Sequence, residues 1–363
     1  MSLYLLLILP ALIAALWSDR LSQQKLAVLW AATSLLMVWL IPIGSPDYRT
    51  YLRDFADFNE LAFNEVVRQD PLYASAVWLF GHLGGSAEAF YLLLGSAGLW
   101  VKLTALQRLS GGSSMVVLLY ICSYFFLHDF TQLRAGLAIG IWMHALANLR
   151  NSPGRYLFLT TLASFVHLQA ALGFVLFGVF MLTRSRAGVW LLSIGALVIV
   201  AAAATPIFDQ LGYAMLAAIP DPRTDVYLEL AAQDFWVQPN PYSFISLLAL
   251  ATALSGLHLG QSRSPQLRKS ESESELAVSR AVFVALLLGT CSLSVLSAVS
   301  VAAFRVSEHF FSLLPVGVWL AASRGGAEPR HRGWMWLLAA VFAYIFLFYS
   351  PYLLDPTIGA LNE

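Results

Sequence analysis

The stretch YLFLTTLASFVHLQAALGFVLFGVFMLT, residues 156–183, decides the fold class of this chain. It contains no Asp, Glu, Lys or Arg. A helix of roughly 20 apolar residues is enough to cross the hydrocarbon core of a bilayer. Further apolar runs follow one another along the chain, so we predict an all-α fold: a polytopic integral membrane helical bundle with residues 1–363 in a single domain. These runs cover residues 3–17, 26–43, 87–106, 114–129, 132–149, 187–204, 243–258, 280–301, 304–322 and 334–352.

The composition supports a membrane protein and excludes a basic nucleic-acid-binding one. Hydrophobic residues make up 59% of the chain and charged residues 12%, against about 25% charged in ordinary soluble proteins. Lys and Arg together number 21, as do Asp and Glu, and no basic tract is present. The opening MSLYLLLILPALIAALW lacks the basic start of a signal peptide, so we expect a retained first helix.

The placement of charge orients the chain in the membrane. The stretch 44–70 holds three Arg and six acidic residues, and the stretch 205–242 holds one Arg and five acidic residues. By the positive-inside rule both face away from the cytoplasm. We therefore expect periplasmic loops over about 44–86 and 205–242 and a cytoplasmic loop over about 259–279. Within the first loop, residues 71–83 follow Asp70 and are too short to cross, which predicts an amphipathic helix at the outer interface.

The stretch 156–183 fits this orientation only as a broken helix pair. A single crossing would place Arg184 and Arg186 outside, whereas a hairpin that turns at residues 167–169 keeps them in the cytoplasm. Twelve helical residues rise about 18 Å, so the turn would lie within the membrane. The prediction is about ten full spans plus this pair. The basic residues then left on the outer side are Arg49, Arg53, Arg68, Arg134, Arg223 and Arg305.

The segment GSPDYRTYLRDF at 44–55 leaves a predicted membrane helix and presents Asp47, Tyr48 and Tyr51 at the outer surface. One interpretation is a turn followed by aromatic residues of the membrane interface. The other is functional: Asp47 accepts a hydrogen bond or a proton from a sugar hydroxyl.

The segment HDFTQLRAGLAIG at 128–140 begins a helix at the same outer level. Asp129 or Thr131 is expected to cap its free N–H groups. Arg134 is costly one turn into a membrane helix, and its guanidinium suits a phosphate bidentately. The helix N-terminus adds partial positive charge there. Gly136 and Gly140 form a small face that is typical of helix packing.

In FRVSEHFFSLLP at 304–315, Arg305, Glu308 and His309 are spaced to share one helix face. Arg305 and Glu308 would neutralise each other in the structural interpretation, while in the functional one Arg305 is the second cation that a diphosphate needs. His167 at the predicted break is either a packing residue or a base. The histidines show no metal-ligand spacing, which predicts metal-independent chemistry without a cofactor.

Five motifs in order resemble the EpsG family of Wzy-type exopolysaccharide and O-antigen polymerases. The resemblance implies a GT-C-like enzyme of the bacterial inner membrane that joins undecaprenyl-diphosphate-linked oligosaccharide repeat units at the periplasmic face. Its expected partners are the lipid-linked oligosaccharide, the bilayer, and a flippase and a chain-length regulator of the same pathway, with no nucleic acid. The motifs are DYRTY at 47–51, DPLY at 70–73, QLRAGLA at 132–138, ASFVHLQA at 163–170 and FRVSEHF at 304–310.

For a lipid diphosphate leaving group, Arg134 and Arg305 are the candidates that stabilise the developing charge. Asp47 or His167 would deprotonate or orient the acceptor hydroxyl. Two other functions stay open at this point: a flippase or transporter without chemistry, and a glycan ligase or single-sugar transferase. The remaining expected substrate-binding residues are Tyr48, Tyr51, Gln132, Glu308 and His309.

Overall fold

The computed structural model of the protein describes helices and no β-strand in the residues it covers. Two compact units are present, one of Met1–Ala171 with Ala327–Glu363 and the other of Leu172–Gly326. The described residues are 23–39, 47–68, 71–125, 129, 132–203, 205–218, 239–262 and 273–323, with isolated positions at 9, 12, 13, 16, 228, 229, 338, 339 and 341. The predicted helices at 3–17 and 334–352, and Asp70 and Thr131, lie wholly or largely outside them.

The described part of the first unit contains eight α-helices between residue 23 and the predicted break at His167. They are α1 (Gln23–Trp39), α2 (Tyr48–Glu60), α3 (Phe63–Val66), α4 (Pro71–His82), α5 (Ala87–Leu109), α6 (Ser114–Ser123), α7 (Leu133–Leu146) and α8 (Pro153–Val166), followed by a 3-10 turn at Leu168–Ala171.

The described helices of the second unit continue the apolar pattern. They are α9 (Leu172–Leu182), α10 (Arg186–Ala202), α11 (Pro206–Ala217), α12 (Phe244–Ser262), α13 (Glu273–Val295), α14 (Ser300–Phe311) and α15 (Leu314–Ser323).

Three of the described helical segments are long and apolar enough to cross a membrane: Ala87–Leu109, Glu273–Val295 and Ser300–Ser323. Helices α6, α7, α10 and most of α12 are apolar but shorter. The prediction of an all-α integral membrane protein is confirmed. The count of about ten full spans and the GT-C-like arrangement stay predictions.

Glycines let the membrane helices of the first unit approach closely. A Cβ on Gly140 of α7 would lie 3.2 Å from the backbone nitrogen of Lys102 on α5. A Cβ on Gly95 of α5 would lie 2.7 Å from Cγ1 of Val38 on α1. Small residues at such crossings let two helices pack closely, because no bulky side chain keeps them apart. The packing role predicted for Gly140 is confirmed.

The acidic stretch predicted as the first outer loop folds into helices α2, α3 and α4. Helix α2 forms because Tyr51, Phe55 and Phe58 recur at i, i+4 and i+7 and face one side. Phe58 meets Tyr73 of α4 edge-on, with ring centroids 6.3 Å apart. The predicted short helix at 71–83 is confirmed as α4, which begins with Pro71.

The helix break predicted at His167 is also present. Helix α8 ends at Val166, and His167 is extended with φ −156° and ψ 122°. The 3-10 turn Leu168–Ala171 follows before α9 begins at Leu172. The break is confirmed, whereas the reversal of chain direction stays a prediction.

A second interruption separates α14 from α15. Pro315 has no N–H to donate to the carbonyl of Phe311, so the regular helical bond is missing at that point. The N–H of Leu313 instead donates to the carbonyl of Phe310 over 3.1 Å, a tighter i to i−3 turn. Arg305, Glu308 and His309 all lie on α14, before this interruption.

Candidate functional site

Arg134 lies at the second position of α7 and reaches toward helices α2 and α4 of the first unit. Its guanidinium carbon lies 4.9 Å from the centroid of the Tyr73 ring on α4. Its Nη2 atom lies 3.7 Å from Oδ2 of Asp54 on α2, an ion pair too long for a hydrogen bond. The Arg134 and Asp54 side chains keep 28% and 22% of their surface exposed. The guanidinium therefore contacts an aromatic ring and a carboxylate, while part of the Arg134 side chain stays exposed.

A network of three tyrosines holds the helices around Arg134. The N–H of Leu133, the first residue of α7, donates to the Tyr51 hydroxyl oxygen over 2.8 Å. The Tyr91 hydroxyl donates to the Tyr51 carbonyl over 2.5 Å and lies 3.3 Å from the Tyr73 hydroxyl. The network thus joins α2, α4, α5 and α7 next to the Arg134 side chain.

The buried tyrosines of α2 and α4 stay protonated. Burial, with a further contribution from the Asp47 carboxylate, raises the pKa of Tyr51 far above its usual value. Burial, reinforced by Tyr91, does the same to the pKa of Tyr73. Tyr51 is only 4% exposed, so its hydroxyl serves the start of α7. Direct contact between Tyr51 and substrate stays a prediction, and this burial argues against it.

Lys102, Tyr120 and Asp129 form a second charged cluster, which the sequence pattern did not reveal. Lys102 Nζ lies 2.8 Å from Asp129 Oδ1, with side-chain exposures of 0% and 3%. The Tyr120 hydroxyl donates to Asp129 Oδ2 over 2.5 Å. The interpretation of Asp129 as a helix cap is wrong, because its carboxylate bonds these two side chains while Tyr51 receives the N–H of Leu133.

Lys102 lies within the apolar run 87–106. The structure buries it inside α5, between a tyrosine and an aspartate. The sequence carried one signal for this cluster. Lys102 is the single Lys of the apolar run 87–106, and a charge within a membrane helix almost always has a partner.

Three other predicted site residues of the first unit lie at the starts of α2 and α7, and a fourth lies at the end of α8. Asp47 stands directly before α2, half-buried, and its carbonyl accepts the Tyr51 N–H over 3.1 Å. Tyr48 is half-buried in the first turn of α2. Gln132 directly precedes α7. The Tyr51–Leu133 bond therefore brings the DYRTY and QLRAGLA motifs together. His167 lies at the helix break, half-buried.

The predicted site residues of the second unit all lie on α14, as their spacing in the sequence predicted. Arg305 and Glu308 are half-buried, whereas His309 is 1% exposed. The His309 ring packs edge-on against Phe310 with centroids 5.5 Å apart. The joint use of Arg134 and Arg305 stays a prediction. In the described part of the chain, no group of three or more His, Cys, Asp and Glu side chains is arranged to hold a metal ion.

Comparison with known proteins gives one match. The model of the EpsG family matches residues 26–356, which is more than half of the chain. The matched range includes every candidate site residue of both units. No curated protein and no solved structure matches significantly.

Proposed function

The chain belongs to the EpsG family, and from that premise we propose that it is a polysaccharide polymerase of the bacterial inner membrane. It joins undecaprenyl-diphosphate-linked oligosaccharide repeat units at the periplasmic face. A flippase that delivers the lipid-linked units and a chain-length regulator are its proposed pathway partners. The family membership and the partly exposed Arg134 support this function over one without phosphate chemistry.

The proposed reaction is a glycosyl transfer with a lipid diphosphate as leaving group. A hydroxyl oxygen of the acceptor sugar attacks the anomeric carbon of the donor and forms the new glycosidic bond. The bond from that carbon to the diphosphate oxygen breaks, and the diphosphate leaves with the electron pair. Asp47 or His167 takes the hydroxyl proton. Arg134 and Arg305 neutralise the diphosphate charge, so the chemistry needs no metal.

The observation that carries the proposal is the setting of Arg134. Its planar guanidinium is held over Tyr73 and beside Asp54 while more than a quarter of the side chain stays exposed. A guanidinium binds two phosphate oxygens in parallel, and the N-terminus of α7 adds partial positive charge at the same place. A preoriented cation loses little conformational freedom when the diphosphate binds.

The test is to express Arg134→Ala and Arg305→Ala in a strain that lacks the gene and to resolve its surface glycan on a gel. Long chains should collapse to single repeat units, with export intact and the protein at its normal level. Arg53→Ala is the matched control, because Arg53 is an exposed arginine of α2 outside the proposed phosphate clamp. Wild-type chain lengths in both Arg134→Ala and Arg305→Ala would contradict the clamp. Loss of all surface repeats would indicate a flippase.

The periplasmic placement has its own test. In a Cys122→Ala, Cys291→Ala background, Leu168→Cys should react with a small thiol reagent applied from the periplasm, and Arg186→Cys should react only from the cytoplasm. The His167 break supports this design because Leu168 is half exposed in the 3-10 turn. Labelling of position 186 from the periplasm would overturn the proposed hairpin.

A further inference from the structure

A cavity of about 350 Å³ lies beside the start of α7. Its walls come from helix ends that the first unit brings together. Trp39 ends α1, Tyr48 begins α2, Glu88 lies in the first turn of α5 and Leu133 begins α7. The volume is near the lower end of the roughly 300–1,000 Å³ typical of small-ligand sites. It has room for a ligand of one or two sugar rings.

The cavity has an apolar floor and an aromatic and acidic rim. Val38, Leu133 and the Tyr91 ring are buried, with 3%, 2% and 2% exposure, and form the floor. At the rim, Trp39 is 63% exposed and Glu88 is exposed. A ligand that enters would therefore meet aromatic faces, a carboxylate and a closed apolar bottom.

This lining fits a sugar better than a phosphate or a hydrocarbon chain. The Glu88 carboxylate repels an anion, and a hydrocarbon chain would remove water from it without adding a hydrogen bond to those that it receives from Ser86 and its own backbone. Sugar hydroxyls donate hydrogen bonds to a carboxylate, while the C–H face of the sugar ring packs on indole and phenol rings. Partial burial, with the nearby Glu88 carboxylate, raises the pKa of Tyr48 and keeps its hydroxyl a donor.

The cavity adjoins the Arg134 cluster through two of its own residues. Leu133 directly precedes Arg134 in α7. The Tyr91 hydroxyl lies 3.3 Å from that of Tyr73, whose ring faces the Arg134 guanidinium. The cavity and the Arg134 guanidinium are thus connected through α7 and through the Tyr91–Tyr73 contact.

We propose that this cavity binds a saccharide ring of the lipid-linked substrate, with Glu88 accepting hydrogen bonds from neighbouring sugar hydroxyls and Trp39 and Tyr48 packing on the ring. The assignment rests on the proposed polymerase function and names the part of the substrate that each cluster holds. Arg134 binds the diphosphate, and Glu88 and Trp39 bind the sugar and set which sugars are accepted.

The test is a binding titration with the protein in lipid nanodiscs. The probe is the oligosaccharide repeat unit of the host glycan, released from its lipid by mild acid, and binding is followed by saturation-transfer NMR. Glu88→Gln should weaken binding about tenfold or more, because hydrogen bonds to a charged group are lost. Trp39→Ala should weaken it similarly, and Trp39→Phe should restore most of it. Glu60→Gln and Trp100→Ala, exposed residues outside the cavity, should bind as wild type.

Arg134→Ala separates the two proposals. It should bind the phosphate-free oligosaccharide normally and yet fail to extend glycan chains in cells. If Arg134→Ala stops chain growth while Glu88→Gln and Trp39→Ala bind like wild type, the saccharide cavity is overturned and the polymerase function stands. No binding by the wild-type protein would overturn the cavity in the same way. Normal chain growth in Arg134→Ala contradicts the proposed function instead.

Discussion

The first unit contains two charged clusters that treat their cations in opposite ways. Lys102 lies 2.8 Å from Asp129, and neither side chain is more than 3% exposed. Arg134 lies 3.7 Å from Asp54, and both side chains remain more than a fifth exposed. The first cation is fully occupied by protein, whereas the second is held in place and left accessible. The difference separates a charge that the fold encloses from one whose side chain still reaches the protein surface.

The two ion pairs differ in their contribution to the free energy of folding. A buried ion pair must overcome the loss of hydration, and it does so only with close geometry and further hydrogen bonds, such as the one from Tyr120. A partly exposed pair contributes only about 0–1 kcal/mol to stability. The close geometry of the Lys102 pair fits a structural role, whereas the Asp54 pair by itself contributes little to the stability of the fold.

The largest expected effect is that of Lys102→Met on folding. It leaves Asp129 buried without its cation, which should lower the free energy of unfolding by about 3–5 kcal/mol. Thermal unfolding of the detergent-purified protein, followed by loss of the monodisperse peak, measures the change. The double variant Lys102→Met, Asp129→Leu removes both charges and should recover most of the stability. A double variant as unstable as the single one would show that the pair is not the source of the effect.

The second-largest effect is expected for Arg134→Ala, which should lower activity and leave stability nearly unchanged. Chain growth should fall by about 10²–10³ fold, the usual loss when one group that stabilises a developing negative charge is removed. Thermal stability should change by no more than about 1 kcal/mol, because the pair with Asp54 is partly exposed. Measuring activity and unfolding on the same purified sample checks both. An Arg134→Ala protein that unfolds like Lys102→Met would remove the distinction between the clusters.

Local sequence patterns predicted the apolar helices, the break at His167 and the approach at Gly140, because each depends on composition or spacing within one segment. The helix α2 was missed although Tyr51, Phe55 and Phe58 recur at helical spacing. The acidic composition of the surrounding stretch led to the prediction of a loop. An amphipathic helix of this kind is polar on average, so mean hydropathy conceals it.

The pairings inside the first unit could not be predicted in this way. Lys102 and Asp129 are 27 residues apart, and Tyr51 and Leu133 are 82 apart. Such contacts depend on how helices cross, and helix periodicity in one segment carries no information about its partner. The sequence therefore offered candidate residues by type, an arginine and a carboxylate, but not their hydrogen-bond partners.

Tyr51→Phe tests whether the tyrosine network supports the Arg134 cluster. It removes the oxygen that accepts the Leu133 N–H and leaves a buried donor unsatisfied, at a cost of about 1–3 kcal/mol. The same unfolding measurement detects the loss, and chain growth should fall because the start of α7 is less well fixed. Tyr213→Phe is the control, since Tyr213 is 38% exposed. An unchanged Tyr51→Phe protein would mean that the phenol oxygen does not hold α7.

The smallest effect is expected for Asp54→Asn. The carboxylate competes with a diphosphate for the Arg134 guanidinium, but at 3.7 Å and partly in water its attraction is worth at most about 1 kcal/mol. The variant should therefore bind inorganic pyrophosphate up to about fivefold more tightly, measured as inhibition of chain extension in membrane vesicles. The gain should shrink with added salt, because exposed charges are screened. If Asp54→Asn weakens pyrophosphate binding instead, the carboxylate is needed to orient the guanidinium, and the exposed cluster resembles the buried one more closely than its distances indicate.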